Sequence, residues 1–159
     1  MRTAVPASAW ATGGWLALVV AYAVLSTLWI GRDPGWYAHL SRPSFQPPDL
    51  VFGVIWPLNF LALFVVGVWF SRSVSDATAW RANVVLGASV VAALAWSWLF
   101  YVPHRLPAAA LCLVGAAVLT WVLVGLVAQS VPWAGVVLLP YAGWLSIAAA
   151  LSVQYARLN

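Results

Sequence analysis

LPAAALCLVGAAVLTWVLVGLVAQSVPWAGVVLLPYAGWLSIAAALSVQYA, residues 106–156, runs from Arg105 to Arg157 without one ionised side chain. Its 51 residues suffice for two membrane crossings at about 20 residues each. Ser130-Val131 interrupts it near the middle, and Pro132 suits the first turn of a new helix, where no amide hydrogen bond is lost. The stretch therefore reads as two spans, about 107–129 and 132–155, joined as a tight antiparallel hairpin.

The rest of the chain repeats the pattern. No Asp or Arg occurs between Arg2 and Arg32, between Asp49 and Arg72, or between Arg81 and Arg105. These gaps predict spans at about 13–30, 50–70 and 82–101. The apolar run near the N-terminus exceeds the h-region of a signal peptide, about 7–15 residues, so it reads as the first span. The expected fold is an all-α membrane protein, a single domain of five transmembrane helices. Its one long connection, residues 32–49, carries Trp36, Tyr37, His39, Arg42 and Phe45 and is stiffened by prolines. A loop of that kind among short ones is expected to act as a lid over one end of the bundle. Pro57 and Pro140 fall inside spans, and their bends are expected to face protein, because lipid offers the freed carbonyls no partner.

Composition narrows the chemistry. The 159 residues hold twelve tryptophans, three carboxylates (Asp33, Asp49 and Asp76), no glutamate and no lysine. Hydrophobic residues make up 65% and charged residues 6%, against roughly a quarter charged in soluble domains. The net charge of +4 comes from scattered arginines, which fits flank anchoring and not nucleic-acid binding. Four of them, Arg32, Arg42, Arg105 and Arg157, fall on the side of the long loop, and three, Arg2, Arg72 and Arg81, on the other, which tips orientation only slightly. Cys112 stands alone, His39 and His104 have no third ligand nearby, and no metal site is expected. Asp33 and Asp49 are expected to pair with Arg32 or Arg42. The spans carry no intramembrane charge, which argues against a pump or an ion-coupled transporter.

Aromatic spacing supplies the candidate site. Phe52, Trp56 and Phe60 share one helix face, Trp96 and Phe100 another, and Tyr141, Trp144, Ala148, Leu151 and Tyr155 a third. Convergence of the three stripes would line a flat-walled apolar cavity suited to a planar ligand. Helix–helix packing is the competing reading of the same mid-span rings. Trp10, Trp15, Trp29, Trp69, Trp80 and Trp133 fit an interfacial belt. Ala148, Ser152 and Ala156 form a small-residue ridge for a close helix contact or a dimer.

These residues resemble a family. Trp36-Tyr37, Leu40, Arg42-Pro43, Pro47-Pro48, Val51-Phe52 and Trp56 look like the first loop and second helix of the TspO/MBR family. These are the tryptophan-rich sensory proteins, relatives of the translocator protein or peripheral benzodiazepine receptor. Trp96 before Phe100-Tyr101 and Arg105 is similar to that family's third helix and loop, and Pro140-Tyr141, Trp144, Ala148 and Leu151 to its fifth helix. Ala93 and Ser152 stand where the family usually has Asn, and Ser44-Phe45 where it often has Trp, which marks a divergent, bacterial-type member of the cell membrane.

The resemblance implies a bundle, often a homodimer, with a pocket beneath the first loop. It implies a binding protein for porphyrins (protoporphyrin IX, haem) and for sterols, acting in tetrapyrrole regulation or in light-dependent porphyrin degradation. No cofactor is required. The pocket residues carried over are Trp56, Trp96 and Trp144 with Phe60, Phe100, Tyr141 and Ala148, and the photochemical candidates are Trp56 and Trp144. Trp36 belongs to the lid, Arg32, Arg42 and Arg105 are candidates for the propionates, and Val153, Tyr155 and Arg157 match the family's sterol pattern. Passive transport of porphyrins or small lipophiles, and a membrane scaffold without ligand, are the competing functions.

Overall fold

Ser75 shows how local chemistry sets the helix ends. Its hydroxyl accepts the Thr78 N–H at 3.4 Å and lies 3.1 Å from the Thr78 hydroxyl, an N-cap that starts a helix at Asp76. The structure, a computed structural model, describes residues 9–159. Arg2, counted above as a flanking charge, lies outside the described residues. Six helices follow in order: α1 (Ala9–Leu25), α2 (Pro34–His39), α3 (Asp49–Ser73), α4 (Asp76–Tyr101), α5 (Leu106–Ser130) and α6 (Pro132–Leu158).

Helices α3 to α6, of 25 to 27 residues, are each long and apolar enough to cross a membrane. The chain is a multi-pass integral membrane protein. Helix α4 begins six residues before the expected start at 82, because a charge gap marks only the apolar core while the capped turn with Asp76 and Arg81 continues beyond it. The first expected span is corrected in the other direction. It ends at Leu25, not Ile30, and its 17 described residues reach about 26 Å. The Ser26 and Thr27 hydroxyls turn back onto the Ala23 and Val24 carbonyls, and the backbone ladder tightens to Thr27 N–Val24 O and Leu28 N–Leu25 O. Side-chain hydroxyls offer the backbone an alternative to the helix, and here they end it.

The five longer helices close a ring. α1 packs on α3 and α4, α4 on α5, α5 on α6, and α6 on α3. Val131 alone joins α5 to α6, and Gly135 lets the two backbones approach, since a Cβ there would lie 2.5 Å from that of Ala128. Polar side chains bond between helices: Asn83 Nδ2 to Ala11 O at 2.8 Å and Ser89 Oγ to Ala116 O at 3.0 Å.

Two further expectations need correction. Pro57 and Pro140 are exposed on the outer surface and do not face protein. A proline ring pushes against its preceding turn, so an outward ring favours a helix that curves around the interior. Trp15 is fully buried and is no belt residue. Its indole Nε1 donates to Leu63 O at 2.8 Å, and its ring packs against Phe70 and the bare backbone of Gly67. The glycine makes room that sequence position alone does not reveal.

Candidate functional site

Trp56 and Phe60 stack one helical turn apart on α3, with centroids 5.7 Å apart and planes 28° from parallel. Tyr22 of α1 meets both edge-on, at 5.9 and 5.3 Å. Deeper in the ring, Tyr141 Oη lies among the hydroxyls of Tyr22, Ser89 and Thr120, so four helices each contribute one hydroxyl. Tyr141 nevertheless makes no hydrogen bond of ordinary geometry. Trp144, one turn further along α6, sets its ring 5.1 Å from Phe52 at a steep angle, and its buried Nε1 has no partner.

Trp96 of α4 bridges to α6. Its indole Nε1 donates to Ser152 Oγ at 3.0 Å, and its ring leans on Phe100 at 5.7 Å and on Tyr101 at 6.2 Å. Ala148 lies half-buried against the same core. Ser152 of the small-residue ridge is buried and turns inward, where its hydroxyl accepts the Trp96 N–H. No ring contact links Trp56, Trp96 and Trp144 directly. The first and third stripes meet at Phe52 and Trp144, and the second and third at Phe100 and Tyr155, while Trp56, Phe60 and Trp96 stay partly exposed.

The connection between α1 and α3 lies across the loop-side ends of α4, α5 and α6. Asp33 caps α2 by accepting the Trp36 N–H at 3.0 Å. Trp36 then stacks on His104, with centroids 3.8 Å apart and planes 13° from parallel, and meets Phe100 edge-on. His104 holds a left-handed backbone, φ 55°, unusual for any residue but glycine and more tolerated by His than by most. Tyr37 Oη reaches Tyr155 Oη at 3.4 Å, and Tyr155 also bonds the Gln46 side chain. Ser41 and Asn159 form a reciprocal pair: Ser41 N–H donates to Asn159 Oδ1 at 2.8 Å, and Asn159 Nδ2 to Ser41 O at 3.3 Å.

The candidate cations divide. Arg42 sits over the Tyr37 ring at 5.7 Å. Arg32 bonds its own preceding turn through Leu28 O, and Arg105 is exposed at the start of α5. The expected Asp–Arg pairing is corrected, since Asp33 is used as a helix cap and no ion pair joins Asp33 or Asp49 to either arginine among the described residues.

The TspO/MBR family profile covers residues 9–158. Protein CrtK of Rhodobacter capsulatus is 30% identical over 141 residues, covering 80% of this chain and 81% of the relative. Tryptophan-rich protein TspO of Archaeoglobus fulgidus is 29% identical over 129 residues, covering 78% and 80%.

The chain belongs to the TspO/MBR family.

Within this TspO/MBR chain the sterol pattern divides between two surfaces. Tyr155 points inward to Tyr37 and Gln46, while Val153 and Arg157 line an outer groove between α5 and α6. Sequence reasoning passed over Tyr22, Gln46 and Asn159 and weighed His104 only as a metal ligand. Tyr22 had a usable signal, because it shares a face with Trp15 and Val19 at i+3 and i+4 spacing. The loop partners had none, since Gln46 and Asn159 meet residues more than a hundred positions away and His104 meets Trp36 across 68 positions.

Proposed function

We propose that this membrane protein binds a planar tetrapyrrole, such as protoporphyrin IX or haem, in its aromatic interior. The supporting observation is the Trp144 Nε1 donor, buried among rings and unpartnered. An unmade hydrogen bond at a buried donor costs about 1–3 kcal/mol, which a ligand acceptor offsets. Broad π faces stack on Trp56, Trp96 and Trp144, and Arg42 or Arg105 meets the propionates at the loop-side surface. In this reading α1 is the fifth crossing and residues 32–49 are the lid. In this reading the loop lifts and Trp96 swings away from Ser152 to admit the macrocycle. Light-driven oxidation of the porphyrin needs no acid–base residue, as the excited macrocycle and dioxygen carry the chemistry. Titration with protoporphyrin IX in detergent tests the proposal: tryptophan fluorescence should quench saturably, and Trp56→Phe with Trp144→Phe should weaken the response. Non-saturable quenching indifferent to both substitutions would overturn it.

A further inference from the structure

The outer groove between α5 and α6, about 480 Å³, has a construction that packing alone does not require. Its floor is made of small side chains, among them Ala117, Ala149 and Ala150, and Phe45 of the long loop closes one side. One end is Arg157, exposed at the membrane surface. The other is Trp121, 47% exposed at mid-helix, where a tryptophan is far from its usual interfacial place. Its indole Nε1 is satisfied within the protein by Ser146 Oγ at 3.0 Å, so the groove ends on an apolar ring edge near the bilayer centre. From Ser146 to Arg157, α6 rises about 16 Å, half of a hydrocarbon core of about 30 Å.

We infer that this groove is a binding site for one anionic phospholipid of the loop-side leaflet. An acyl chain lies along the alanine floor and stops at Trp121, while the phosphate meets Arg157, with the Gln154 amide beside it. Charge supports the choice of lipid. The chain has only three carboxylates, and none pairs with Arg157 among the described residues, so the counter-charge comes from the ligand. A guanidinium grips a phosphate through two parallel hydrogen bonds, whereas a sterol offers one hydroxyl. Tyr155, the central residue of the sterol pattern, faces away from the groove. The site is independent of tetrapyrrole binding in the interior.

Native mass spectrometry of detergent-purified protein mixed with equal amounts of phosphatidylglycerol and phosphatidylcholine tests this. One phosphatidylglycerol per chain should be retained, about tenfold over phosphatidylcholine. Arg157→Gln should erase that preference and Arg157→Lys should keep it. Ala150→Trp, built from an exposed position, should fill the groove and reduce retention of both lipids. Equal retention by the unmodified chain, a preference that survives Arg157→Gln, or a sterol retained in place of phosphatidylglycerol overturns the proposal. Displacement of the lipid by inorganic phosphate alone would also overturn it, assigning Arg157 to a free anion.

Discussion

The indole of Trp15 occupies the space that a Cβ on residue 67 would need, with its Cδ1 and Nε1 nearest. This contact, locked by the Trp15 hydrogen bond to Leu63 O, sets how closely α1 and α3 approach. Gly67→Ala should therefore destabilise the bundle by about 1–3 kcal/mol, the usual cost of overpacking a filled interior. Thermal unfolding in detergent measures it, and an unchanged midpoint would mean that the indole is free to move.

The α5–α6 hairpin carries a paired version of that constraint. Gly135→Ala should lower the unfolding midpoint because the new methyl meets Ala128. Ala128→Gly in the same chain should restore only part of the loss, because the residue 128 Cα would still lie 2.8 Å from the new methyl. Contacting residues of this kind are coupled, so a double-mutant cycle should show non-additivity of about 0.5–3 kcal/mol. Strict additivity would place the strain elsewhere.

Ser152 is expected to act on stability and ligand affinity in opposite directions. Ser152→Ala removes the acceptor of the Trp96 N–H and should cost about 0.6 kcal/mol, the average for interhelical side-chain bonds in membranes. The same change frees the indole to turn toward a macrocycle, so protoporphyrin IX should bind about threefold more tightly. Fluorescence titration of the variant checks this, and weaker binding would show that the bonded rotamer is the competent one.

The Trp36–His104 stack governs the loop. An aromatic pair contributes about 0.5–1.5 kcal/mol beyond its area, so Trp36→Ala should speed amide exchange across residues 34–46 by up to about tenfold. Exchange within α5 should stay the same. Equal acceleration in both would indicate global loosening in place of loop release.

The legible part of this fold was its apolar lengths. Residues 106–156 placed α5 and α6 within a few residues, because two helices separated by Val131-Pro132 leave an unmistakable gap in charge. The α1 boundary was not legible, since Ser26 and Thr27 end the helix by bonding backward inside an apolar run. Among candidate site residues, Trp56, Phe60, Trp96, Phe100, Tyr141 and Trp144 were found by helical spacing. Spacing fixes a face but not a depth, which is why Trp15 passed for a belt residue. Spacing likewise gives no sign that Trp121 faces the outer groove. Asn159 and the loop-holding role of His104 escaped notice because long-range loop contacts leave no local periodicity.

The Ser41–Asn159 amide pair has a consequence for the order of assembly. The two residues are 118 positions apart, so during synthesis the first loop emerges long before the helix that holds it. Tyr155 and its bond to Gln46 arrive at the same late moment. Until α6 inserts, the loop has no complete dock, and its aromatic side chains face the headgroup region. The loop side of the bundle is thus the last part to settle, and a chain stalled before α6 should display residues 34–46 to protease while α3 and α4 are already protected in the membrane.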